Sequence, residues 1–160
     1  MKYLAFFLSV FFLAAPDLAT VRQKYISAST SAQEAEELYK SLEGVSDAST
    51  DHTMVGYKAA ALTLKAKYEK GLLNKKNLFT QGAKLLEAVI KKDPANYEVR
   101  VLRMSIQENA PKITGYNKQI EEDKKFILKN YNSQKPDLKE FAKAYIIKST
   151  LFTQEEKAAF

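Results

Sequence analysis

The chain has 160 residues, enough for one domain with one sizeable hydrophobic core. Its 46% hydrophobic and 28% charged residues describe a folded chain, and 5 glycines with 4 prolines are too few for a turn-rich β architecture. The absence of cysteine excludes disulfides, iron–sulfur clusters and cysteine zinc sites, and the net charge of +6 comes from 22 lysines and only three arginines, Arg22, Arg100 and Arg103.

Residues 1–16 read as a signal peptide. Lys2 is a minimal positive start, and Tyr3 to Ala15 form an apolar run of about a dozen residues, short of the ~20 that a spanning helix needs. Cleavage is expected between residues 15 and 19, although Pro16 and Asp17 make every candidate position imperfect. The alternative is a membrane tether through an uncleaved segment. Export without cysteine, together with abundant lysine, fits a bacterial periplasmic or secreted protein. No stable membrane span is expected after cleavage. The lysines scatter along the chain and arginine, the residue of bidentate base and phosphate contacts, is scarce, so nucleic acid is excluded as a partner.

Residues 17–160 form the single domain, and alanine, leucine, lysine and glutamate make it all-α. A first helix over 17–29 aligns Leu18, Val21, Tyr25 and Ala28. Ser31 and Glu34 form a capping box for a second, whose stripe is Ala35, Leu38, Tyr39 and Leu42, with Gly44 as its stop. Asp51 caps a third helix reaching about Lys70. Two adjacent apolar rows, one through Val55, Ala59, Leu62 and Ala66, make it the central helix. Residues 72–77 read as a connector. The fourth helix, 77–92, carries Leu78, Gly82, Leu85 and Val89 beside Phe79, Leu86 and Ile90.

Asp93-Pro94 closes that helix, and Pro94 is expected in the first turn of the fifth, which runs to Asn109 and buries Val99, Leu102 and Ile106. Pro111 and Gly115 break the pattern. A sixth helix over 116–130 aligns Tyr116, Ile120, Ile127 and Tyr131, with Glu121, Glu122 and Asp123 in its first turns. A seventh begins near Pro136 and buries Leu138, Phe141, Ala142 and Tyr145. Thr153 and Glu156 form a capping box for a last turn. The expectation is six to eight helices and no sheet.

Gly82 to Tyr97, GAKLLEAVIKKDPANY, resembles the second helix and inter-repeat turn of a tetratricopeptide repeat, with Asp93-Pro94-Ala95-Asn96 as the turn. The likeness covers about half of one repeat, and no 34-residue self-similarity runs through the chain. It implies a degenerate, TPR-like array of antiparallel helical hairpins. The overall layout is similar to that of small exported bacterial helical proteins of unknown function.

Motifs for chemistry are sparse. His52 is the only histidine, so a transition-metal site would need several converging carboxylates. Glu121, Glu122 and Asp123 point in different directions on a helix and read as an acidic first turn, not a calcium site. There is no glycine-rich phosphate loop, no G-x-S-x-G and no H-E-x-x-H. No metal, no cofactor and no catalytic group is assigned.

The best constellation is Arg100, Arg103, Gln107 and Asn109, with Glu108, on the fifth helix, followed by Tyr116 and Asp123. Where lysine is the default cation, arginine suggests planar pairing. These residues form either a partner-docking face or an internal clamp in which Arg103 reaches Asp123 or Glu122 and Asn109 caps the break, and the clamp is the favoured reading. The expected function is a non-enzymatic interaction or scaffold module holding a peptide or partner protein, with Tyr57, Tyr68, Tyr97 and Tyr116 offering contact surface. The alternatives are a carrier of an apolar small molecule and an enzyme of an unrecognised helical type.

Overall fold

The computed structural model describes residues 16–160, so the signal segment, with its phenylalanines at 6, 7, 11 and 12, lies outside the described residues apart from Pro16. Within them the fold is all-α: eight α-helices, two short 3-10 turns at Lys112–Thr114 and Tyr131–Ser133, and no strand. The helices are α1 (Leu18–Ala28), α2 (Ala32–Leu42), α3 (His52–Tyr68), α4 (Leu72–Lys92), α5 (Tyr97–Asn109), α6 (Ile120–Asn130), α7 (Pro136–Lys148) and α8 (Gln154–Ala158).

Local chemistry sets most of the boundaries. Asp17, Ser31, Asp51, Asn96 and Thr153 each accept a backbone N–H from the first turn of the helix they precede. At Thr153 the box is complete, with Glu156 returning the bond; at Ser31 only the serine half forms. Gly44 follows the end of α2 without left-handed backbone, and Gly115 (φ 62°) is the residue that needs it.

Three boundaries differ from expectation. The stretch 72–77 is the beginning of α4, not a connector, making that helix 21 residues long. Its leucines and lysines at 72, 73, 75 and 76 lack the period of a buried face, which is what conceals the helix from a pattern reading. Pro94 lies ahead of α5, because Asn96 is the cap. Tyr116 precedes α6, which starts only at Ile120.

The core sits where α3 and α5 cross their neighbours. α3 packs along α4 and meets α1, α2 and α5; α5 in turn reaches α4, α6 and α7. The α3–α4 contact is close because of Gly82: a Cβ there would lie 2.6 Å from the Ala59 carbonyl oxygen and 2.7 Å from Thr63 Cγ2. The alanine run 59–61 on the facing helix is buried. Leu86, one turn further along α4, is fully buried. Leu86→Ala should therefore cost about 3 kcal/mol in urea unfolding, through lost transfer energy and a residual cavity. A loss below about 0.5 kcal/mol would contradict the packing of that face.

α3 shares the centre with α5. Ten of the 13 residues of α5 are buried, and they include Glu98, Arg100, Arg103 and Gln107 as well as the expected Val99, Leu102 and Ile106. A helix hydrophobic on one side and ion-paired on the others is enclosed all round, although its apolar stripe alone looks like that of a surface helix.

Candidate functional site

The spacing of Arg100, Arg103 and Gln107 aims their side chains toward α6 and the loop before it. Arg103 donates from Nε to Asp123 Oδ2 at 2.6 Å and from Nη2 to Asp123 Oδ1 at 2.7 Å, a bidentate fork. Its Nη1 donates to Glu87 Oε2 of α4 at 2.9 Å. Arg100 Nη1 donates to Asp123 Oδ1 at 2.8 Å and to Glu122 Oε1 at 2.7 Å, and its Nε to the Pro94 carbonyl at 2.7 Å. The Arg100 guanidinium also lies 4.4 Å from the centre of the Phe126 ring. Tyr116 Oη donates to Glu87 Oε1 at 2.6 Å, joining the loop to the same network.

Asp123 is 0% exposed and Arg103 3%. Burial alone would pull the Arg103 guanidinium down, but its bonds to Asp123 and Glu87 outweigh that and hold it above its ordinary value. Burial, reinforced by Glu87, pushes the Tyr116 phenol up. The bond from Arg100 holds Glu122 below the usual carboxylate range. The network is thus an internal ion-pair clamp tying α4, α5 and α6 together.

Gln107 sits beside the clamp, its Nε2 donating to Gln119 Oε1 at 2.7 Å while its Oε1 has no partner among the described residues. It lines a small cleft of about 170 Å³ with Tyr116, Ile120 and Thr150. Asn109 does not belong to the group. It is exposed and donates to the Ser105 carbonyl inside its own helix, so it caps nothing at the break. Glu108 has a different partner set: Tyr145 Oη at 2.8 Å, Ser149 Oγ at 2.9 Å, and Thr150 N and Oγ1 at 2.7 and 2.9 Å. It anchors the end of α7 to α5.

A second buried pair was not anticipated. Arg22 of α1 donates from Nε and Nη2 to the two oxygens of Glu98, both at 2.7 Å, and from Nη1 to Asp137 of α7 at 2.6 Å. Tyr57 Oη of α3 donates to Glu98 Oε1 at 2.6 Å. The signal was in the composition, since Arg22 is the third of three arginines and the argument applied to Arg100 and Arg103 holds for it equally. The tyrosines offered as contact surface need correcting in the same light. Tyr57 is 0% exposed and Tyr97 4%, so both are core residues, while Tyr68 and Tyr116 are half-buried with their hydroxyls bonded to Ser29 and Glu87.

His52 Nδ1 lies 3.4 Å from Asp93 Oδ2 at the α4–α5 turn. Among the described residues no three histidine or acidic side chains converge in an arrangement suited to a metal ion. An open groove of about 490 Å³ lies between α2, α3 and α4. Tyr39, Leu62 and Leu85 are its apolar lining, and Asp47, Lys58, Gln81 and Lys84 its polar one. Lys58 is committed to the Val45 carbonyl and Asp47, at 2.7 and 2.8 Å, while Lys84 is exposed and forms no ion pair among the described residues.

Comparison with known proteins finds no matching family model, no matching curated protein and no matching solved structure.

Those pairs make a pH prediction. Burial pushes the Glu108 carboxyl up, but the Thr150 amide and the hydroxyls of Tyr145, Thr150 and Ser149 outweigh it and hold the group below its ordinary 4.5. Glu122 is lowered as well. For carboxylates lowered in the folded state, the stabilisation is complete above the unfolded value and is lost as pH falls through the folded one. Unfolding free energy from urea titrations should be level from about pH 6 to 8 and decline below about 4.5 as these carboxylates are protonated. A decline beginning near neutrality would point to a different titrating group.

Proposed function

We propose that this chain is an exported, non-enzymatic binding module that holds an acidic segment of a partner protein in the groove between α2, α3 and α4. The groove carries the reading: an apolar floor of Tyr39, Leu62 and Leu85 beside the exposed amine of Lys84, on a chain of net charge +6. Such a surface suits an extended peptide whose apolar side chains meet the floor and whose carboxylates meet the amine. The three arginines and their acids already hold one another, which leaves Lys84 as the free cation of this surface among the described residues.

A TPR-like arrangement is part of the same proposal. Its support is the Asp93–Asn96 turn, where Asn96 caps α5 through Val99 N and donates from Nδ2 to Asp93 Oδ2 at 3.0 Å. In repeats of that kind, stacked helix pairs present an extended surface to peptides.

Peptide display against the purified chain tests the reading. Enriched sequences should be acidic with interspersed apolar residues, and by fluorescence anisotropy Lys84→Glu should weaken them at least about tenfold, the size of a lost favourable charge pair with like-charge repulsion added. Enriched peptides that bind wild type and Lys84→Glu equally would remove the groove from the proposal. Export is tested separately by fractionation and by sequencing the mature N-terminus, expected between residues 16 and 20.

A further inference from the structure

The beginning of α4 departs from local expectation in two ways. Leu72 and Leu73 stand next to each other in its first turn and are 83% and 70% exposed. Lys75 and Lys76 follow immediately, at the end of the helix where the backbone dipole already presents positive charge and where acids are preferred. The cap is Gly71, which offers no side-chain bond. No acid occurs in α4 before Glu87. The lysines oppose the helix dipole and the exposed leucines add nothing to the core, and a site that departs from the needs of folding in this way is where function is expected.

The neighbouring chain extends the same pattern. Tyr68 Oη and Lys67 Nζ both donate to the Ser29 carbonyl, at 2.9 and 2.6 Å, so the α1–α2 turn lies against the end of α3. Ile26, whose carbonyl accepts from Ser29 N in that turn, is 47% exposed. Lys70 is exposed, and the one nearby acid, Glu69, is occupied by the amides of Lys70 and Gly71 at 2.9 and 3.2 Å. This end of the molecule therefore combines protruding aliphatic side chains with an excess of lysine.

We propose that the start of α4, Leu72 and Leu73 with Lys70, Lys75 and Lys76 around them, docks on the surface of an anionic phospholipid bilayer. Lys75 and Lys76 follow Leu72 by three and four residues and so sit about one turn, ~5 Å, above the leucines. That spacing places leucines below the headgroup boundary while the ammonium groups remain at phosphate level, and lysine stems accommodate the remaining depth. Charge complementarity selects the lipid: protruding leucines favour any apolar phase, and the lysine excess favours one faced with phosphate. The contact is peripheral, because no described helix is long and apolar enough to cross a membrane. It is distinct from the groove. Gln81 and Lys84 lie about ten residues, roughly 15 Å, further along α4, so a docked molecule would hold its groove clear of the lipid.

The chain contains no tryptophan, so Leu73→Trp in the full-length protein gives a single reporter at the contact. With vesicles of phosphatidylcholine containing about one-third phosphatidylglycerol, its emission should shift to the blue and become shielded from acrylamide; with pure phosphatidylcholine it should stay as in buffer. Adding Lys75→Gln and Lys76→Gln should weaken the anionic-vesicle response about 30-fold, from about 1 kcal/mol per lysine, with far-UV circular dichroism unchanged. A reporter that stays solvent-exposed on anionic vesicles overturns the proposal. So does an equal response to neutral vesicles or in the lysine variant, which would mean that the apolar N-terminal segment alone brings the chain to the membrane. A shift produced by soluble polyglutamate and not by vesicles would assign the surface to a protein partner and overturn the lipid assignment.

Discussion

Asp123→Ala is expected to cost about 3–5 kcal/mol, because the fully buried carboxylate is the common acceptor of two arginines. Its removal leaves Arg100 and Arg103 facing each other with only the half-exposed Glu87 and the exposed Glu122 to balance them. At roughly 2–4 °C per kcal/mol for a domain of this size, the midpoint should fall by about 6–20 °C. Arg103→Ala should also destabilise, but less, since Asp123 keeps its bond from Arg100. If instead these arginines served an exposed docking face, both variants would melt like wild type and lose only partner capture. A loss under about 1 kcal/mol for Asp123→Ala would show that the acid is dispensable to the fold.

The clamp was legible in the sequence for a definite reason. Against 22 lysines, two arginines three residues apart on a helix are a compositional anomaly, and planar guanidinium groups are what buried carboxylates require. Helix identity was legible too, from cap residues such as Asp51 and Thr153 and from the period of Ala35, Leu38 and Leu42. The enclosure of α5 was not. Period reading assigns Glu98, Arg100 and Arg103 to a solvent face, and only the positions of partners 16 to 76 residues away put them inside. Tyr57 was misjudged by the same route: its hydroxyl suggested surface, whereas Glu98 supplies an acceptor within the core. The beginning of α4 failed in the opposite sense. Leu72, Leu73, Lys75 and Lys76 look like a connector because nothing in the domain packs over the leucines, and that surplus over the needs of folding is the physical ground for assigning them a role outside it.

Glu98→Ala should match Asp123→Ala, at about 3–5 kcal/mol, while its combination with changes in its partners should show the opposite of additivity. Glu98 is 3% exposed and takes three bonds, two from Arg22 and one from Tyr57. Truncating it leaves Arg22 with only Asp137, whose side chain is 63% exposed and offers little compensation, and strands the fully buried Tyr57 hydroxyl. In the wild type, burial first and then the neighbouring Glu98 carboxylate hold the Tyr57 phenol well above its ordinary value, and the burial remains when Glu98 is truncated. Arg22→Leu alone should cost a similar amount, because it leaves a buried carboxylate with the Tyr57 hydroxyl and no cation. With both replaced by leucine, neither charge is buried, and the double variant should be more stable than either single one. Its remaining defect is the orphaned Tyr57 hydroxyl, worth about 1–3 kcal/mol, which Tyr57→Phe in the same background should largely recover. Urea unfolding of Arg22→Leu, Glu98→Leu, the double and the triple measures every corner. If the double variant loses the sum of the two single losses, Arg22 and Glu98 act independently, and the ion pair is not what joins α1 and α5.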